Sequence, residues 1–228
     1  MTSTKDPSVP HSGRRATVIG FLLVVMAFLF ALLMSPHLPH EVPVHWNAAN
    51  QVNGTMPKPW GVFIQPILML VVWAILWALP HISPRRFRME GFRHVYDVLQ
   101  LVILGFMLVM TVTQLLAAAG LRLPIGMIVT LGIGLLFVVL GNFMGKIRKN
   151  FFVGIRTPWT LADDEVWLRT HRFAGWVFVA GGFVLMAEGL LGLPPLWVIV
   201  TIALMVLLPI VESYRLYVTI SRRRKTRS

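Results

Sequence analysis

Long apolar runs alternate with short polar stretches along the whole chain. Six runs stand out: Ala16 to Met34, Trp60 to Leu79, Val95 to Ala119, Pro124 to Gly141, Phe173 to Leu191 and Pro195 to Tyr214. Each is about 18 residues or longer, enough at about 1.5 Å per residue to cross roughly 30 Å of hydrocarbon as a helix. In lipid a helix satisfies its own backbone hydrogen bonds, so the pattern predicts an all-α, polytopic membrane protein of six transmembrane helices. Composition agrees: of 228 residues, 56% are hydrophobic and 13% charged, with a mean hydropathy of +0.72. A soluble domain is excluded.

The polar stretches divide the chain. Residues 1–15 form a polar tail, 16–94 a two-helix unit with a long outward loop, 95–214 a four-helix unit with a polar loop over 142–172, and 215–228 a basic tail. The net charge of +12 suggests nucleic acid at first sight, but its distribution argues otherwise. Nineteen Lys and Arg fall in the two tails and the second and fourth connections, while the remaining stretches hold only Lys58 and Arg122. The positive-inside rule therefore places both termini in the cytoplasm and the basic residues beside the lipid bilayer, with no direct nucleic-acid binding. The first run is read as an uncleaved anchor, because no small-residue cleavage site precedes Pro36. Absence of cysteine removes disulfides and thiolate chemistry.

The outward segment between the first two runs carries Pro36, Pro39, Pro43, Pro57 and Pro59, which favour extended backbone and turns over helix, and Asn53-Gly54 signals a turn. His37, His40, Glu41 and His45 lie within nine residues and are suitable Zn²⁺ or Cu²⁺ ligands in type, but not in spacing. The main expectation is no metal and no cofactor, with hydrogen-bonding or headgroup-level histidines; the four residues are the metal alternative. The second connection joins Arg85, Arg86, Arg88 and Arg93 to Phe87, Met89 and Phe92, the composition of a segment lying on an anionic leaflet. Arg93 and Asp97 are spaced for an i, i+4 ion pair, Glu212 and Arg215 for an i, i+3 pair. Glu188 lies inside the fifth run with no local cation. It either reaches the outer interface or faces the bundle, toward a ligand or Arg122.

Gly134, Gly141 and Gly145 lie on one face of the fourth run, and Gly175, Gly182 and Gly189 recur every seven residues in the fifth; these two helices are expected to pack along those seams. Between them Thr160 and Asp163 look like a capping box, with Asp164 and Glu165 suited to the helix dipole. Arg156, fixed between Gly154 and Pro158, is placed to clamp a carboxylate, either Asp163 or a ligand's terminus. No nucleophile and base or established metal motif accompanies the acidic trio, so an enzyme is not expected.

Three strings in this region are dense and ordered: Gly141-Asn142-x-Met144-Gly145-Lys146-x-Arg148-x-Asn150, Gly154-Ile155-Arg156-Thr157-Pro158-Trp159-Thr160-Leu161, and Trp167-x-x-Thr170-His171. Together they resemble the C-terminal signature of the SdpI family of bacterial membrane proteins. Val42-Pro43-Val44-His45-Trp46-Asn47 resembles the uncharacterised N-terminal domain that often precedes it. The resemblance implies a multi-pass bacterial plasma-membrane protein that confers immunity to a secreted antimicrobial peptide toxin. It also implies signal transduction in which a cytosolic transcription repressor is captured. Candidates for ligand or partner contact are then Asn142, Lys146, Arg148, Asn150, Arg156, Trp159, Thr160 and His171 in the signature, Glu188 in the fifth run, and His45, Trp46 and Asn47 outside. The competing class is a small membrane transporter or channel component, with Gln65, Gln114 and Glu188 lining a path.

Overall fold

A computed structural model describes residues 12–47, 49–82 and 90–226 of the chain. The basic, aromatic segment expected on the leaflet surface lies largely outside these residues, as do most of the N-terminal tail and the last two positions. Six helices are long and apolar enough to cross a membrane: α1 (Ser12–Met34), α2 (Lys58–Ile82), α3 (Arg93–Ala118), α4 (Ile125–Met144), α6 (Asp164–Leu191) and α7 (Pro195–Lys225). A five-residue helix, α5 (Pro158–Ala162), precedes α6, and two strands, β1 (Glu41–Trp46) and β2 (Val52–Pro57), follow α1. The all-α membrane architecture read from the sequence is therefore present, with a small β-hairpin added.

α1, α2 and α3 pack on one another, α4, α6 and α7 form a second group, and a thinner α3–α4 contact joins the two. Val24, Ala27, Met69 and Leu104 are buried in the middle of the first group. At one end the hairpin closes over Val42, Val62 and Leu115. At the other, Phe92, Val95, Tyr96, Met144, Ile147 and Trp167 form a core beneath the signature loop.

α4 and α6 run antiparallel at backbone-to-backbone distance. A Cβ built on Gly134 would lie 2.6 Å from the carbonyl oxygen of Gly182, and one on Gly182 would lie 2.6 Å from that of Gly134. Gly141 and Gly175 stand in the same mutual relation at 2.8 Å. The seams expected from the glycine spacing are thus the contact surface in the middle of the pair. At its ends the glycines meet side chains instead, Gly145 beside Arg172 and Gly189 beside Thr130.

The hairpin departs from the sequence reading in one respect. Asn53-Gly54 does not form the turn; both residues lie inside β2, where Gly54 opposes the bulged His45 and a Cβ would come within 3.0 Å of the His45 Cβ. The reversal is made at Asn47 to Gln51. The side-chain oxygen of Asn47 accepts from the backbone of Ala49 and Gln51, and Asn50 takes a positive φ of 60°. Asparagine supports both roles because its short amide can bond its own backbone. Asn50 also donates to the Leu123 carbonyl at 2.9 Å and accepts from Gly126 N–H at 3.4 Å, tying the hairpin tip to the start of α4. Gln114 of α3 secures the base, donating to the carbonyls of Pro43 and Gly61 at 3.0 and 3.1 Å.

Gly182→Ala is expected to lower the stability of the detergent-solubilised protein by about 1–3 kcal/mol, because the helices must separate to admit a methyl group. Gly105→Ala in α3, where a Cβ would meet nothing within 4 Å, is the control. There the better helix propensity of alanine leaves stability unchanged or raised. Thermal unfolding of both variants checks the difference.

Candidate functional site

The signature loop leaves α4 at Met144 and is folded by its own polar side chains. Asn150 is fully buried and uses its whole amide: the nitrogen donates to the carbonyls of Arg148 and Val153 at 2.9 and 2.8 Å, and the oxygen accepts from Phe152 and Val153 N–H at 2.8 and 2.6 Å. Four bonds from one residue replace those that a helix or strand would have supplied to this irregular backbone.

His171, one turn after Trp167 in α6, is equally buried. Its Nδ1 donates to the Trp167 carbonyl at 2.8 Å and its Nε2 accepts from Ile155 N–H at 3.0 Å, an arrangement that requires the neutral, Nδ1-protonated ring. The ring stacks on Trp167 with centroids 4.1 Å apart, and Trp167 donates to the Ile147 carbonyl at 2.9 Å. Gly154 has φ +113°, and any Cβ there would collide with His171 Nε2. Glycine serves both the left-handed turn and the close approach of the ring.

A capping box forms next, one turn earlier than Thr160 and Asp163 suggested. Thr157 is the N-cap of α5 and exchanges hydrogen bonds with Thr160, which also donates to the Ile155 carbonyl. Asp163 is then the N-cap of α6, accepting from Glu165 and Val166 N–H at 2.8 and 3.2 Å, with Asp164 and Glu165 in the first turn as expected. Asp163 does not meet Arg156. Its other oxygen pairs with Arg224 at 2.6 Å, because α7 continues as helix to Lys225 and brings that arginine back beside the loop. Burial by itself would raise the Asp163 carboxyl, but the two backbone N–H groups and Arg224 outweigh it and hold it below the ordinary value of 3.8. Arg156 is exposed, its guanidinium 4.8 Å from the centroid of the Phe151 ring.

α5 is fastened to α7 by Trp159, whose indole N–H donates to Ser213 Oγ and whose ring meets Tyr214 edge-on. Ser213 and Arg224 are the contributors that sequence reasoning missed. A serine within an apolar span was a weak signal for the first, and nothing local marked the second.

The candidates therefore separate. Asn150, Thr160, His171 and Trp159 hold the loop together, whereas Asn142, Lys146, Arg148 and Arg156 present side chains to its surface. Lys149 pairs with Asp164 at 2.8 Å and Arg169 with Glu165 at 2.7 Å. Glu188 lies far along α6, buried toward α7, and accepts from Thr201 at 2.7 Å; it faces the bundle and does not pair with Arg122. The expected pairs Arg93–Asp97 and Glu212–Arg215 form at 3.0 and 2.8 Å. In the hairpin, His45 Nδ1 meets Asn53 Oδ1 at 2.5 Å, Asn47 shapes the turn and Trp46 is half-buried. His37 sits in a one-turn 3-10 helix and exposed His40 faces Glu41 at 3.7 Å. The four residues of the metal alternative are thus not brought together, and among the described residues no group of three or more such side chains is placed to hold an ion.

Comparison with known proteins places these features in a family. A profile of the SdpI/YfhL protein family matches residues 146–213, which contain most of the loop, α5, α6 and much of α7. A domain of unknown function, DUF1648, matches residues 22–70, spanning most of α1, the hairpin and half of α2. The chain is 30% identical over 171 residues to the immunity protein SdpI of Bacillus subtilis (strain 168), covering 75% of this chain and 80% of that protein. It is also 36% identical over 52 residues to the uncharacterised membrane protein YbgB of the same organism, covering 22% of this chain and 57% of that protein. No solved structure matches the chain.

Two outcomes follow from the loop geometry. Gly154→Ala is expected to unseat His171 and leave Ile155 N–H unpaired, at a cost of about 1–3 kcal/mol, read as faster proteolysis of residues 145–157 at unchanged helix content. Asp163 supplies the pH signature. Its folded pKa is depressed, so its stabilisation is fully present above the ordinary value of 3.8 and is lost as pH falls through the lower folded value. The thermal stability advantage of wild type over Asp163→Asn should therefore be constant near neutrality and shrink on acidification below about pH 4.

Proposed function

We propose, from the premise that this chain belongs to the SdpI/YfhL protein family, that it is a membrane immunity protein protecting its cell against a secreted antimicrobial peptide. The observation that carries this is the identity to the Bacillus subtilis immunity protein, which runs through four fifths of that protein. It acts by binding, without catalysis. The distribution of cations supports a plasma-membrane orientation with both termini in the cytoplasm. The hairpin then faces the outside, where the peptide arrives, and offers His45, Trp46 and Asn47 around its turn. The signature loop faces the cytosol.

In this reading the loop's buried residues are scaffold, and signalling uses what the scaffold exposes. Arg156, held over Phe151 between Gly154 and Pro158, and Asn142 on the last turns of α4 are the residues proposed to meet a cytosolic regulator such as a transcription repressor. Glu188 has one oxygen bonded to Thr201 and the other buried without a partner among the described residues. It is assigned to the α6–α7 contact, with no direct part in ligand binding.

The test is survival of a sensitive bacterium expressing the chain and challenged with secreted toxin peptides from related bacteria. Wild type is expected to protect, Trp46→Ala to lose protection at equal membrane level, and Arg156→Ala to keep it. Because the chain has no cysteine, single cysteines at Gln51 and Arg156 report sidedness by labelling intact cells, the first reactive and the second shielded. Absence of protection, or the reverse labelling, overturns the reading, and ion or solute flux in proteoliposomes would then favour a transporter.

A further inference from the structure

A cavity of about 710 Å³ opens at the signature end between the start of α3, the segment after α4 and the first turns of α6. Buried Phe92, Val95 and Trp167 give it an apolar wall. Exposed Lys146 and Arg148 also line it, the lysine amine 5.0 Å from the Phe143 ring centroid. Lys149 also lines it, but that charge is already met by Asp164 at 2.8 Å. Neither Lys146 nor Arg148 forms an ion pair among the described residues, so beside the Lys149–Asp164 pair the cavity has two further cations next to its apolar wall.

Its level in the membrane adds the second half of the argument. The cavity lies where α4 ends at Met144 and α3 begins at Arg93, at the boundary between two apolar spans and their polar flanks. A ligand fitting this place has an anion beside a hydrocarbon stem. We propose that the cavity seats the phosphodiester of an anionic phospholipid from the leaflet at that end. Arg148 offers a planar fork to the phosphate oxygens, Lys146 a compact charge, and the glycerol and first acyl methylenes lie along Val95 and Trp167. A basic pocket between spans favours lipids of net negative charge, and a zwitterionic headgroup brings its own cation into the same positive field. The inference is independent of the immunity reading.

Binding of phosphatidylglycerol and of phosphatidylcholine to the purified full chain, measured by native mass spectrometry from detergent, tests it. Phosphatidylglycerol is expected to remain bound and phosphatidylcholine to be lost. The double variant Lys146→Gln/Arg148→Gln should weaken phosphatidylglycerol binding about thirtyfold, as expected for two charge contacts. Lys146→Arg/Arg148→Lys, which keeps charge, should stay within a few-fold of wild type, and Arg222→Gln/Arg223→Gln, which removes cations elsewhere at this end, should have no effect. Equal retention of phosphatidylcholine, or unchanged binding in the Lys146→Gln/Arg148→Gln protein, overturns the proposal. Displacement of phosphatidylglycerol by inorganic phosphate at low millimolar concentration overturns it too, and assigns the cavity to a free anion.

Discussion

The backbone contact of α4 with α6 sets the geometry on which the signature end depends. Between apolar helices in lipid there is little hydrophobic gain, so association rests on dispersion and on how closely two backbones approach. Glycine at 134, 141, 175 and 182 brings carbonyl oxygens to where side chains would otherwise begin. This fixes the separation of Met144 from Asp164, and with it the span that the loop must bridge. Only with those anchor points set can Trp167 reach the Ile147 carbonyl and His171 receive Ile155 N–H.

An irregular loop at the edge of hydrocarbon has a particular difficulty, since its peptide groups lack both helix partners and full access to water. Here the solution is side-chain amides, hydroxyls and one imidazole. Asn150, Thr157, Thr160 and His171 act on the loop backbone between 148 and 160, and Asp163 caps the helix that follows. The family profile begins inside the loop and ends at Ser213. The matched stretch includes both members of the Trp159–Ser213 contact that holds α5 against α7. Asn150, Thr157, Thr160 and His171 of the motif thus bond the loop's own backbone.

Much of this was legible in the chain because it is local. Span length and apolarity gave the six helices, heptad spacing of glycines gave the α4–α6 seam, and i, i+3 or i, i+4 charges gave two ion pairs. What was not legible joins distant positions. Trp159 meets Ser213 across 54 residues and Asp163 meets Arg224 across 61, and no periodicity reports such contacts. The Arg156–Asp163 pairing failed for the same reason, since a nearer cation in sequence lost to one delivered by a long helix. Asn53-Gly54 misled because the turn preference of that dipeptide was overridden by the bulge at His45, where a side chain opposite would crowd the His45 Cβ.

The hairpin tip carries a mechanical implication. Asn50 holds the Leu123 carbonyl and Gly126 N–H, at the entry to α4, and α4 delivers its other end directly into the signature loop. One helix therefore has a handle on each face of the membrane. Because its middle bears on α6 where glycine lets the backbones touch, with Val138, Val179 and Met186 packed beside them, a pull at the tip would move the rod and its neighbour together. The loop would feel the hairpin as a change of tilt, as a seesaw feels a weight at its far end.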